Sequence, residues 1–139
     1  MPYGGSIMNA QWIKAVFYLS AIYDAILAVA VLFFWQSIYT MFGVTPPNHP
    51  GYLQSPALVV LIFAAIFYRI AREPLRNRDL IPYGIALKLS YSGVVFWHSL
   101  SGGIPAMWHP FAWADAVFLA LFIVAWIKLG HADGTPSAA

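Results

Sequence analysis

Four long apolar segments, separated by polar stretches or by stretches rich in proline and glycine, dominate the hydropathy pattern of the chain. The segments cover about residues 12–36, 54–72, 80–99 and 109–129. A helix needs about 20 apolar residues to cross the hydrocarbon core of a bilayer, and each segment approaches that length. The pattern predicts an all-α integral membrane four-helix bundle in a single domain, with a flexible tail over residues 130–139.

The composition supports a membrane protein and narrows its chemistry. The chain is 61% hydrophobic and 9% charged, whereas soluble domains carry about 25% charged residues. A soluble chain this apolar could not cover its own surface with polar groups. The absence of cysteine excludes disulfides, thiolate catalysis and cysteine-based metal sites. The sequence also lacks a glycine-rich phosphate loop, a catalytic serine motif and a histidine–glutamate metal motif, which favours a non-catalytic protein that binds no nucleic acid.

The basic residues predict the orientation of the helices. With four spans, six of the seven basic residues lie on one side of the bilayer, and the opposite loops, near 37–54 and 100–108, contain none. The positive-inside rule then places both termini and the 73–79 loop in the cytoplasm. We expect a multi-pass protein of the cell membrane, of the bacterial inner-membrane type. Four arginines near the second loop are also expected to contact anionic lipid headgroups: Arg69, Arg72, Arg76 and Arg78.

The third span contains a lysine, Lys88, at a depth where insertion costs about 3 kcal/mol. An acidic partner at the same depth would offset that cost. Asp24 follows Lys14 by ten residues and Lys88 follows Asp79 by nine, so both lie roughly 13–15 Å from the inner face. We predict a pair between Asp24 and Lys88, with Asp115 as a second acid nearer the outer side. Candidate hydrogen-bonding neighbours of this polar centre are Tyr23, Tyr91 and Ser92.

Two interpretations of this polar centre stay open. A buried ion pair can serve only to fix the register of the helices. Ionisable residues inside a membrane are, however, commonly functional. Two acids against one lysine leave one carboxyl in excess, which suits a proton-linked carrier of a small solute.

Three histidines form a separate group at the predicted outer side: His49, His98 and His109. Met41 and Met107 fall on the same side. Histidine with methionine suits copper, and two histidines on neighbouring helices could ligate haem. Their spacing is irregular, so we expect no metal and no cofactor, and a redox component with haem or copper remains an alternative.

Several short stretches resemble the small four-helix inner-membrane proteins of the DoxX-like group. They are Tyr23-Asp24, Tyr68-Arg69 with Arg72-Glu73-Pro74, Lys88-Leu89-Ser90-Tyr91, and Asp115. The resemblance covers about residues 12–129. It implies a four-helix bundle with a polar centre at these positions, and some proteins of this kind accompany redox enzymes as membrane subunits. It implies no particular reaction.

Together these features predict a non-catalytic accessory or anchoring subunit, or a small-ligand binding module, with a buried Asp–Lys centre. Its expected partners are the lipid bilayer and either a second membrane protein or another copy of the chain. A proton-linked carrier and a membrane redox component are the alternatives.

Overall fold

The computed structural model of the protein consists of four long helices joined by short loops. It describes the backbone of residues 3–132 and the side chains of residues 11–132. The all-α four-helix prediction is confirmed, and all four helices are long and apolar enough to cross a membrane. The helices are α1 (Tyr3–Phe42), α2 (Gly51–Arg72), α3 (Ile81–Ser101) and α4 (His109–Ala132), and short 3-10 turns at Arg78–Leu80 and Ala106–Trp108 precede α3 and α4.

Helix α1 is kinked at Phe34, where φ is −124° and ψ is 19°. It then continues past the predicted end of the first span at residue 36, and a glycine terminates it after Phe42. Gly43 has a φ of +63°, a left-handed conformation that glycine adopts without steric cost. The Val44 amide then donates to the Tyr39 carbonyl over 3.0 Å, a bond typical of helices that end at such a glycine. Hydropathy alone does not predict this end, because the helix extends beyond the apolar segment that ends near residue 36.

Helix α2 begins at Gly51, slightly ahead of the start near residue 54 that the sequence predicted. The amides of Leu53 and Gln54 already donate to the Pro50 carbonyl, over 2.9 and 3.0 Å. The first turn of the helix therefore lies ahead of Pro56 in the chain, although a proline commonly occupies the first helical position.

Helix α4 also exceeds its predicted span, because Gly130 and His131 are helical rather than part of a tail. Arg78 contacts this last part of the helix. Its Nε donates to the Trp126 carbonyl over 3.0 Å, and its guanidinium lies 4.4 Å from the centre of the indole ring. Gly130 leaves room for this contact, since a Cβ there would lie 2.5 Å from a guanidinium nitrogen. The rest of the predicted flexible tail, residues 133–139, lies outside the described part of the chain.

The bundle is built from two helix pairs, α1 with α2 and α3 with α4, which pack against each other. In one half of the bundle, three buried phenylalanines from three helices meet: Phe17, Phe67 and Phe122. Phe17 stacks on Phe122 with 4.4 Å between ring centres, and Phe67 meets Phe122 edge-on at 5.1 Å. This phenylalanine cluster lies toward the end of the bundle that holds the loop after α2.

Large apolar side chains cover the outer surface of the helices. Examples from each helix are Leu19, Ile26, Phe33, Ile62, Leu89, Val94, Trp113 and Val117. Helices that are apolar on every side are typical of membrane spans, whereas a surface helix of a soluble protein is apolar on one face. The exposed surface therefore agrees with the hydropathy pattern.

Gly84 of α3 lies directly against the phenylalanine cluster. A Cβ at Gly84 would lie 2.6 Å from Cε1 of Phe67, whereas a Cβ at Gly93 would meet nothing within 4 Å. Because Phe67 is fully buried, its ring has little room to move, and Gly84→Ala should lower the free energy of unfolding by about 1–3 kcal/mol. Gly93→Ala is the matched control and should be neutral or slightly stabilising. Thermal unfolding in detergent, followed by circular dichroism, checks this, and equal transition temperatures in the two variants would contradict it.

Candidate functional site

Lys88 of α3 lies between two carboxyl groups, one from α1 and one from α4. Its Nζ is 2.8 and 2.9 Å from the two Oδ atoms of Asp24, and 3.0 Å from Oδ1 of Asp115. The exposed fraction of the side chain is 1% for Lys88, 3% for Asp24 and 10% for Asp115. The structure brings all three residues together, and Asp115, expected only as a nearby acid, contacts the lysine directly. We call these three residues the polar centre.

Small residues on the same helix faces allow the polar centre to form. Side chains four positions apart share one face of a helix. The buried neighbours at this spacing are Ser20 and Ala28 around Asp24, and Gly84 and Ser92 around Lys88. Small residues let helices approach closely inside a membrane, because no bulky side chain separates their backbones.

Three aromatic rings surround the Lys88 ammonium. Its Nζ lies 5.2 Å from the ring centre of Phe118, 5.5 Å from that of Phe67 and 5.6 Å from that of Tyr23. Each ring can attract the cation through its quadrupole. Phe67 belongs to the phenylalanine cluster as well, so the polar centre rests directly on that cluster.

The predicted hydroxyl neighbours are close to the polar centre in sequence, but none of them donates to its carboxyl groups. The Tyr91 hydroxyl donates to the Trp108 carbonyl over 3.2 Å, and the Ser92 hydroxyl donates to the Lys88 carbonyl over 2.6 Å. The second bond is the common local bond of a serine to the preceding helical turn. The Tyr23 hydroxyl is buried without a partner among the described residues.

A cavity of about 340 Å³ lies on the side of the polar centre that faces away from the phenylalanine cluster. Asp24, Lys88 and Asp115 form its polar end. Its walls come from all four helices and from the turn before α4, and they include Leu27, Ala28, Val31, Tyr39, Ala57, Val60, Leu87, Met107 and Phe111. The sequence did not predict this cavity, because hydropathy does not reveal which apolar side chains leave space between them.

The candidate histidines have separate environments. Nδ1 of His49 accepts a hydrogen bond from the Gly51 amide over 3.0 Å, and Nε2 of His109 is buried without a partner in the described part. His98 is exposed near the end of α3. Among residues 11–132, no group of three or more histidine, cysteine, aspartate or glutamate side chains is arranged to hold a metal ion. The expectation of no metal at these histidines, and the alternative of copper or haem, both stay predictions from the sequence.

The four arginines predicted to contact lipid headgroups differ in the contacts that they make within the protein. Nε of Arg69 donates to Oδ1 of Asn77 over 3.2 Å, and Arg76 forms an exposed ion pair with Glu73 at 3.2 Å. Arg78 contacts α4, as described above. Arg72 is exposed at the end of α2. These contacts order the loop after α2, and contact of the arginines with lipid headgroups stays a prediction.

Removing the lysine tests how strongly the polar centre depends on it. Lys88→Met leaves Asp24 and Asp115 buried without their cation, and we expect a loss of about 3–5 kcal/mol in the free energy of unfolding. Adding Asp24→Asn should restore part of the loss, and adding Asp115→Asn as well should restore more. Thermal unfolding in detergent measures the series. A double variant no more stable than Lys88→Met alone would show that the carboxyl groups do not depend on the lysine.

No family model matches the chain, and neither the curated proteins nor the solved structures that were searched gave a match. The resemblance to DoxX-like proteins therefore stays an expectation from the sequence, and the functional argument depends on the geometry of the polar centre and the cavity.

Proposed function

We propose that the chain is a multi-pass membrane protein that binds a small ligand without transforming it. The observation that supports this most directly is the cavity of about 340 Å³ that ends at Asp24, Lys88 and Asp115. Small-molecule sites are typically concave, largely apolar and about 300–1,000 Å³ in volume, with a few polar groups that orient the ligand. The cavity has each of these properties.

The packing beyond the polar centre favours binding over transport. The cavity ends at the polar centre, and the phenylalanine cluster occupies the bundle beyond it. A solute that crossed the protein would have to displace Phe17, Phe67 and Phe122, which are all fully buried. Interiors packed in this way resist gradual deformation. A binding module needs no such movement.

A proton-linked carrier is the second candidate function, and the presence of two carboxyl groups against one lysine favours it. The carboxyl in excess offers a place for a proton in a low-dielectric site. Uptake of solute by proteoliposomes under an imposed proton gradient would support this candidate, whereas binding without uptake would favour the first.

For the orientation, we propose that both termini and the loop after α2 face the cytoplasm of a cell membrane, as in a bacterial inner membrane. Lys14, Lys128 and the four arginines all lie toward the same end of the bundle, which the positive-inside rule assigns to the cytoplasm. The DoxX-like resemblance agrees with this location. It also suggests a role beside a second membrane protein. Another copy of the chain is the other expected partner, and the four arginines are expected at the lipid headgroups.

A substitution that fills the cavity tests the binding proposal. Ala57 lines the cavity, whereas Ala65 on the same helix is exposed. Ala57→Phe should abolish the retention of a small molecule, because the ring occupies the ligand's space, and Ala65→Phe should not. Mass spectrometry of extracts from the proteins purified out of the native membrane measures retention. If the wild type and Ala57→Phe retain the same molecules, or if neither retains any, the proposal is wrong.

Reporter fusions test the proposed orientation. A periplasmic reporter fused after Thr45, in the loop between α1 and α2, should be active. A cytoplasmic reporter at the C-terminus should also be active, because the number of spans between the two positions is odd. A fusion after Arg76 serves as an internal cytoplasmic control. An external C-terminus would contradict the orientation.

A further inference from the structure

The polar end of the cavity has one more acceptor oxygen than the lysine has donors. The Lys88 ammonium has three N–H groups, and three carboxyl oxygens lie within 3.0 Å of its nitrogen: both of Asp24 and Oδ1 of Asp115. Oδ2 of Asp115 accepts no hydrogen bond from the residues described. Asp115 lines the cavity, and its side chain is 10% exposed against 1% for Lys88. A molecule in the cavity would therefore find its free acceptor at Asp115.

The charges of the polar centre point to the kind of group that would bind there. When both carboxyl groups are ionised, two negative charges face one positive charge. An excess charge in an apolar environment is costly unless a counter-charge accompanies it. A proton on one carboxyl can balance the centre, and a cationic group on a ligand can do the same.

The walls of the cavity indicate the chemical character of the rest of the ligand. Beyond the polar centre the lining is mainly aliphatic and aromatic, as at Leu27, Val60 and Phe111. Hard cations such as Ca²⁺ and Mg²⁺ need about six oxygen ligands, and such walls do not supply them. A volume of about 340 Å³ also suits an organic molecule far better than a bare ion.

We propose that the cavity takes a small apolar molecule with one protonated amine, whose ammonium group donates a hydrogen bond to Oδ2 of Asp115. This rests on the binding function proposed above and names its ligand class. The ammonium balances the second carboxylate, and the apolar body contacts walls from all four helices. An acid of the same shape would bring another negative charge, and Lys88 has no N–H group left to receive it. An alcohol can donate to Asp115 but cannot balance its charge.

Three probes of similar shape test the ligand class: 2-naphthylmethylamine, 2-naphthylmethanol and 2-naphthoic acid. Each is titrated calorimetrically into the protein in nanodiscs, with empty nanodiscs as the blank for partition into lipid. The amine should bind about tenfold or more tightly than the alcohol, because a charged hydrogen bond contributes more than a neutral one. The acid should bind most weakly. Equal binding of amine and alcohol, preference for the acid, or no binding of the amine would overturn the assignment.

Two variants separate the ligand class from the binding function itself. Asp115→Asn keeps the shape of the side chain but removes its charge, and the Asp24–Lys88 pair remains balanced. This variant should bind the amine no more tightly than the alcohol. An undiminished preference for the amine would overturn the role of Asp115. If it does not fold, the three probes on the wild type still decide the ligand class.

Ala57→Phe should bind none of the probes, and Ala65→Phe should match the wild type. Probe binding that survives Ala57→Phe would show that the probes bind outside the cavity and would overturn this assignment. The retention experiment on molecules from the native membrane tests the binding function independently. Failure of the ligand class and failure of the binding function therefore give different results.

Discussion

The need to neutralise the Lys88 ammonium inside an apolar bundle is the constraint on which the arrangement of three helices depends. Asp24 of α1 and Asp115 of α4 both reach its nitrogen within 3.0 Å. A helix has about 3.6 residues per turn, so a shift of one position would turn either aspartate about 100° away from the lysine. A buried charge left without its partner costs several kcal/mol. The polar centre thus fixes the register of α1, α3 and α4 at one level.

The polar centre also divides the bundle into two halves with different packing. On one side, Phe17, Phe67 and Phe122 are fully buried and in mutual contact. On the other side, small residues such as Ala28 and Ala57 leave the cavity between the helices. The polar centre therefore packs against the phenylalanine cluster on one side and borders the apolar cavity on the other. Because of this asymmetry, a molecule can reach the polar centre from the cavity side only.

The parts of the structure that could be predicted from the sequence depend on local hydropathy and charge. The four helices follow from apolar length, and the pairing of Asp24 with Lys88 follows from matching depths along two spans. The end of α4 could not be predicted, because it involves the contact of Arg78 with Trp126 far along the chain. The direct contact of Asp115 with Lys88 and the cavity depend on how side chains from different helices fill space.

The second acid bears on the two interpretations of the polar centre that the sequence left open. A pair that only fixed the register of α1 against α3 would be complete with Asp24, since both of its carboxyl oxygens already lie within 2.9 Å of the Lys88 nitrogen. Adding Asp115 to such a pair brings another desolvated carboxyl group without balancing any charge, which costs stability. Asp115 also lines the cavity and has the most exposed side chain of the three. The register of α4 accounts for one contact with the lysine but not for a second ionised carboxyl, whose charge a cationic group or a proton would balance.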